Sequence, residues 1–317
     1  MAQNSNIEWT DHTFNPWEGC QKVGPGCDHC YAEARNARFS GGHAVNWGPY
    51  APRRRTSAAN WRKPVTWNAA HAEFFSLHGR RQRVFCASLS DVFDNAADPA
   101  WRCELATLIL ATPNLDWLLL TKRIGNAGKM LSAMFQDGMP DNVWLGTTVV
   151  NQEEADRDIP KLLAMPARVR FLSMEPLLGA VDIRDYLTPS FPNCGGFEQG
   201  AHLEVGYCGH CAGHADDPIH DPMLRDVIDW VIVGGESGAH ARPMQAEWAQ
   251  DLRDQCQAAG VPFFFKQWGE WRPTLKVSSS GSTAGRAQRV GKKVAGRLLD
   301  GRHWDDAPAA RATRQPP

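Results

Sequence analysis

Nowhere does this sequence run to the roughly 18 consecutive apolar residues that cross a bilayer, so no membrane is expected among its partners. The opening segment, MAQNSNIEWTDHTF, lacks both a basic stretch and an apolar core, which argues against a secretory leader and predicts a cytoplasmic protein. Net charge is nearly absent: 34 lysines and arginines against 35 acidic residues leave −1. No global field therefore draws the chain to polyanions, and any nucleic-acid contact must come from a local patch. No repeat of solenoid or propeller period is found. What is present is enough chain for a sizeable core: 317 residues, 43% hydrophobic, fit one catalytic α/β domain with appendages.

Nine cysteines cannot all pair, and a reducing cytosol would keep them as thiols, so their spacing matters more than their number. Six fall in two tight groups, Cys20/Cys27/Cys30 and Cys194/Cys208/Cys211. Cys86, Cys103 and Cys256 are scattered and read as small buried hydrophobes.

Apolar runs of strand length recur from residue 83 to 269: RVFCASLSDVF, LDWLLLTKR, NVWLGTTVV, VRFLSMEPLL, DWVIVGGES and VPFFFKQWGEW. Their near-continuous apolar character suits parallel strands covered on both faces. Helices are expected over Asp98–Thr112, with Asp98 as cap and Pro99 in the first turn, over Asn151–Met165, and over Gln245–Gly260, with Gly260 at the C-cap position. With a first strand near Thr13–Trp17, the chain yields about seven βα units. That count favours a full or partial (β/α) barrel of the TIM type over residues 1–274. Two insertions interrupt it, at about 40–82 and 188–222, and 275–317 reads as a flexible loop with a short basic tail.

In such a barrel the C-terminal strand ends converge on one mouth. Here they are polar: Ser88, Ser90 and Asp91; Thr121, Lys122 and Arg123; Thr147, Thr148 and Asn151; Ser173 and Glu175; Gly234, Gly235 and Glu236; Lys266 and Gln267. Any one of these could serve as a helix cap or structural ion pair. The set as a whole points to chemistry.

The sharpest motif is NPWEGCQKVGPGCDHCYAE, a C-x6-C-x2-C loop just before a helix expected to start near Asp28. Three thiolates on one Gly/Pro-rich loop can hold three irons of a [4Fe–4S] cluster and leave the fourth open. A Cys₃His zinc site with His29 or His12 is the rival. An unmetallated thiol loop is the third reading.

The loop and the βα alternation, with the phrases LLLTKR, WLGTTVVNQ, FLSMEPLLG, WVIVGGESG, ARPM, FFFKQWGEW and VGKKVAGRLLDGR, resemble the phage gene 37/gene 68 protein family, a three-cysteine family of largely unknown function related to the radical-SAM superfamily. The resemblance implies a radical-SAM type of barrel. It also implies a [4Fe–4S] cluster at Cys20, Cys27 and Cys30, S-adenosylmethionine as cofactor, adenosyl-radical chemistry and an electron donor such as flavodoxin or ferredoxin. Two departures stand out: the first cysteine gap is six residues rather than three, and Gly234-Gly235-Glu236 follows the sixth strand rather than the second. Ser88, Ser90 and Asp91 are then the candidates for the methionine moiety, with Thr148 as a further cofactor-binding candidate. Gly234 and Gly235 could admit adenosine close to the backbone or merely make a tight turn. Glu175, Glu236, Lys122, Arg123 and Lys266 are candidates for binding substrate or moving protons.

The second group, with Cys194, Cys208, Cys211 and His214, fits a Cys₃His zinc site, with an auxiliary cluster as the alternative. The first insertion interleaves Arg53, Arg54, Arg55, Arg62 and Lys63 with Trp47, Tyr50, Trp61 and Trp67. That mixture suits a single strand or an extruded nucleotide, whereas its bland reading is a solvated basic face with tryptophans packed on the barrel. Two other functions compete: a zinc-dependent nucleic-acid-binding or adaptor protein, and a metal-assisted hydrolase using Asp91, Glu175 and Glu236. A partner protein remains open.

Overall fold

The computed structural model describes residues 5, 7–188, 227–274 and 286–309. Seven strands form one all-parallel sheet whose spatial order follows the chain: β1 (His12–Thr13), β2 (Gln82–Cys86), β3 (Leu115–Thr121), β4 (Val143–Thr148), β5 (Val169–Met174), β6 (Trp230–Gly234) and β7 (Phe263–Gln267). With helices on one face it makes a partial barrel, as the alternation of elements predicts. The main helices are α1 (Tyr31–Phe39), α2 (Pro99–Leu110), α3 (Ile124–Met134), α4 (Gln152–Leu163) and α5 (Ala246–Ala258). None among the described residues is long and apolar enough to cross a membrane.

Local chemistry sets these boundaries. Asp98 accepts the Ala100 amide at 2.9 Å and Pro99 takes the first helical position, while Gly260, at φ +65, ends α5 in the left-handed conformation glycine tolerates. The first strand is shorter than expected. Pro16 has no amide to give the ladder, and the chain turns away so that Trp17–Glu18 pairs antiparallel with Arg54–Arg55.

Period-2 alternation divides the strands between two cores. Val84, Trp117, Leu119, Leu145, Leu172, Val231, Val233 and Phe265 join α2 and α3 residues such as Leu105, Ile109 and Leu131 on the helix side. Phe85, Leu118, Trp144, Phe171, Trp230, Ile232 and Phe264 fill the helix-free side with Trp9. On that second face β4, β5 and β7 turn polar towards their C-terminal ends, at Thr148, Ser173 and Lys266, so the inner wall grades from aromatic floor to polar mouth.

Several expectations need correction. Cys103 is exposed on α2, although Cys86 and Cys256 are buried as expected. The region after 275 is not all tail. Arg286–Arg289 pairs with Trp271–Thr274, Trp304 is buried in the helix-side core, and the Phe265 amide donates to the Trp304 carbonyl at 2.9 Å. Residues 275–285 lie outside the described residues, as do Cys194, Cys208, Cys211 and His214.

Candidate functional site

The polar strand ends surround a cavity of about 480 Å³, within the range of small-molecule sites. Cys20, Cys27 and Cys30 border it, and so do Ser88, Ser90, Asp91, Lys122, Arg123, Thr148, Glu175, Gly235, Glu236 and Lys266. Of the mouth residues given a catalytic or cofactor-binding role, Gly234 lies outside the lining, as do Thr147 and Asn151 of the wider polar set. The Gly234 α-carbon backs onto Glu175, where a Cβ would meet the carboxyl carbon at 3.3 Å. Trp9, Phe85 and Leu120 supply an apolar floor.

The cysteine loop is held at both ends by guanidinium groups. Arg123, at the end of β3, donates to Cys20 Sγ at 3.3 Å, to the Gln21 carbonyl at 2.7 Å and to Asp91 at 3.1 Å. Arg242, in the loop after β6, grips the other end: it donates to the Pro25 carbonyl at 2.8 Å and to Asp28 at 3.2 Å. The same guanidinium forms a two-pronged pair with Glu236 at 2.6 and 2.9 Å. Arg242 escaped the sequence reading because it precedes no helix directly and ends no strand; the phrase ARPM was its only trace. Asn15 was also missed: it accepts the Leu89 amide at 2.7 Å and donates to Ser88 at 3.0 Å, tying the first strand to the end of the second.

Close packing explains several glycines of the mouth. A Cβ on Gly26 would meet Val150 Cγ1 at 2.8 Å, and one on Gly24 would meet Glu154 at 2.8 Å, so the loop lies hard against the turn after β4. Gly235 faces the Trp268 carbonyl too closely for any side chain. That close approach is reason enough for a glycine at this position of the cavity lining.

Electrostatically the mouth is mostly matched. Asp91 accepts from Thr121 Oγ1 at 2.8 Å and from the Lys122 and Phe93 amides at 3.0 and 2.9 Å, besides Arg123. Its oxygens are spent on positioning the end of β3. Lys266 pairs with Glu175 at 2.6 and 2.8 Å, and Gln267 Nε2 donates to Glu175 at 3.2 Å. Lys122 differs: it donates to Thr148 Oγ1 at 3.1 Å and makes no ion pair among the described residues. Three buried polar atoms on cavity-lining residues have no partner among the described residues: Ser90 Oγ and Gln267 Oε1 at the mouth and Trp9 Nε1 at the floor. Unmet buried polar atoms beside a cavity mark where a ligand would bond. Burial pushes the Cys20 thiol up to about 11, with Arg123 opposing the rise in part. A metal cation is what would convert such a thiol into a thiolate ligand.

His12 is not a ligand candidate. It stacks on Trp67 at 4.1 Å and 3° and bonds Gln82 at 2.6 Å, away from the cavity. His29 does line the cavity, with its ring 5.8 Å from that of His240. Among the described residues no three His, Cys, Asp or Glu side chains are grouped to share one metal ion.

The arginines of the first insertion serve mainly to hold the fold. Arg53 pairs with buried Asp94 at 2.7 Å, Arg54 with Glu18, and Arg55 with Glu104 while stacking over Trp61 at 4.4 Å. Trp67 is buried and Trp61 packs against the core.

The profile of one family, described as a protein of unknown function (DUF5131), matches residues 4–308. The chain belongs to that family. Because the match runs from before β1 to the stretch that follows Trp304, it takes in the sheet, the cysteine loop and the cavity lining as one unit. No curated protein and no solved structure matches the chain.

Proposed function

We propose that this DUF5131 protein is a radical-SAM-type enzyme whose cavity holds a [4Fe–4S] cluster and S-adenosylmethionine. The observation that carries the reading is the arrangement of three thiols from one loop around the same cavity as the polar ends of the parallel strands. The donor set fits the group. Thiolates around a single tetrahedral zinc, each about 2.3 Å from it, must crowd together. Three thiols carried by one loop onto one cavity are the donor set that three irons of one cluster require. An iron left without a protein ligand would supply a coordination site for the cofactor and an electron for its sulfonium.

The chain's own residues then have distinct tasks. Cys20, Cys27 and Cys30 would hold the irons. Arg123 and Arg242 fix the loop that presents them, and Arg123 also places a positive charge beside Cys20. Ser90 Oγ and Gln267 Oε1 offer unspent hydrogen-bonding capacity to bound molecules, and Lys122 offers a cation to an anionic group. The Glu175–Lys266 pair can hand a proton between its members and a substrate in the cavity. Trp9, Phe85 and Leu120 keep the floor free of water.

Anaerobic purification with iron, sulfide and zinc analysis tests this, together with the electron paramagnetic resonance spectrum of the dithionite-reduced protein before and after adding S-adenosylmethionine. About four irons per chain, lost in Cys27→Ala, and a signal that shifts with the cofactor are expected. Zinc alone, or a cluster indifferent to S-adenosylmethionine, would overturn the proposal.

A further inference from the structure

Beside the cavity lies a surface that the proposed chemistry does not use. Tyr50 is 102% exposed and sits at φ +63, a conformation uncommon for a bulky residue. It is held there by a buried cation. The Arg53 side chain is 1% exposed, pairs with Asp94 at 2.7 Å and donates to the carbonyls of Ala51 at 2.7 Å, Asn46 at 3.4 Å and Gly48 at 3.5 Å. The turn is thus closed around a guanidinium, with its tyrosine in solvent. Trp47 of the same turn lines the cavity and bridges to Cys20.

The turn is tied to α1, where Asn36 and Asn46 exchange two hydrogen bonds of 3.3 Å. On α1, Tyr31, Arg35 and Phe39 recur every four residues and so share one stripe. Tyr31 lines the cavity and is 56% exposed; Phe39, farther along, is 73% exposed with Arg35 and Arg38 at 5.3 and 5.9 Å from its ring. The stripe therefore leads from the cavity rim outward. Charge follows the same course. Of the six lysines and arginines in residues 17–55, Arg53 and Arg55 are claimed by Asp94 and Glu104 of other elements, which leaves the cations at Arg35, which shares Glu18 with Arg54, and Arg38 beside the exposed rings. The three carboxylates of this stretch are engaged: Glu18 by Arg35 and Arg54, Glu33 by Lys22, and Asp28 by Arg242. Arg38 makes no ion pair among the described residues.

Exposed rings flanked by Arg38, unpaired among the described residues, and by the partly shared Arg35 match a ligand that has free aromatic faces and negative charges. A single strand of nucleic acid has both, whereas a duplex hides its base faces and an acidic peptide lacks them. We propose that Tyr31, Arg35, Arg38, Phe39 and Tyr50 form a platform for single-stranded nucleic acid, which presents one nucleotide past Trp47 to the cavity. The proposal rests on the enzyme reading for its purpose and names the class of substrate, while its binding test does not depend on the cluster.

The test is fluorescence anisotropy of the full chain with labelled oligo(dT) and oligo(U) of about 15 nucleotides, at about 50 and 200 mM salt. Saturable binding is expected, with Phe39→Ala and Tyr50→Ala each weakening it about 5- to 150-fold. Arg38→Ala should weaken binding and lower the salt slope by about one. A preference between the two oligomers identifies DNA or RNA as the strand. These side chains are exposed, and unchanged thermal melting of the variants would show that folding is not the cause. No saturable binding, unimpaired binding by the Phe39→Ala/Tyr50→Ala double variant, or equal binding of a duplex or of polyglutamate would overturn the proposal. Zinc alone at the cysteine loop would overturn the radical reading and leave this one standing, because the platform contains none of the three thiols.

Discussion

The two ends of the same seven strands are both charged, but they are charged to different effect. At the N-terminal ends Arg80 makes a two-pronged pair with Asp11 at 2.6 and 2.9 Å, Arg81 approaches Asp116 at 3.6 Å, and the Arg83 guanidinium lies over Trp144 and Trp230 at 5.3 and 5.5 Å. These groups close on one another over the aromatic floor. At the C-terminal ends Arg123–Asp91, Lys266–Glu175 and Arg242–Glu236 are equally well paired, yet they surround open volume and leave Ser90 Oγ and Gln267 Oε1 unmet. Ion pairing alone therefore does not separate a site from a scaffold. Nor do unmet polar atoms, since Arg83 Nε is buried without a partner among the described residues; open volume does.

The strongest challenge to this contrast is a truncation at the floor. Trp230→Ala should cost about 3–5 kcal/mol of folding free energy in urea titrations, because the ring is fully buried among Trp9, Trp144, Phe171 and Phe264. Lys122→Met at the mouth should stay within about 0.5 kcal/mol of the parent, since the ammonium is half-buried and holds only Thr148. Comparable losses at both positions would erase the distinction between scaffold and site.

A smaller effect is expected at the mouth's own positioning residue. Asp91→Asn should cost about 1–3 kcal/mol and speed the alkylation of Cys20 in the metal-free protein, because the carboxylate anchors Arg123, which in turn holds Cys20. An unchanged alkylation rate would show that Arg123 keeps the loop without help from Asp91.

The mildest difference concerns acid. Burial raises the proton affinity of Asp11, but the hydrogen bonds from Arg80 and from the Arg83 amide outweigh it and hold the carboxyl below its ordinary 3.8. A depressed carboxylate stabilises the fold above the unfolded value, and the contribution fades as pH falls through the folded one. Thermal melting should thus decline below about pH 4, and Asp11→Asn should flatten that decline. An identical acid limb in the variant would remove Asp11 from the floor's support.

Legibility followed the range of the interactions involved. Strands, the Asp98–Pro99 helix start and the Gly260 stop could be read because period-2 patterns and caps act within a few residues. The strand ends could be gathered at one mouth for the same reason, and the cavity lining includes that polar set except for Thr147, Asn151 and Gly234. Arg242 and Asn15 could not, because each acts on a partner more than 70 positions distant. The role of Gly235 was equally hidden, since turn and ligand approach give the same letter until Trp268 is seen against it. In the first insertion the pattern of arginines and tryptophans was visible, but the carboxylates that claim Arg53 and Arg55 lie on other elements, at Asp94 and Glu104.

One arrangement at the floor also bears on how the chain reaches this form. Ile7 and Trp9 share their aromatic cluster with Ala307, the Trp230 indole donates to the Asp306 carbonyl at 2.9 Å, and Asp305 bridges to Phe264 at the exposed edge of β7. Stretches some 300 positions apart in the sequence thus complete one interior together. During synthesis β7 is made with its outer edge bare, and the interior stays unsealed until residues 304–307 have left the ribosome. Until then, the growing chain has a sheet edge open to other strands.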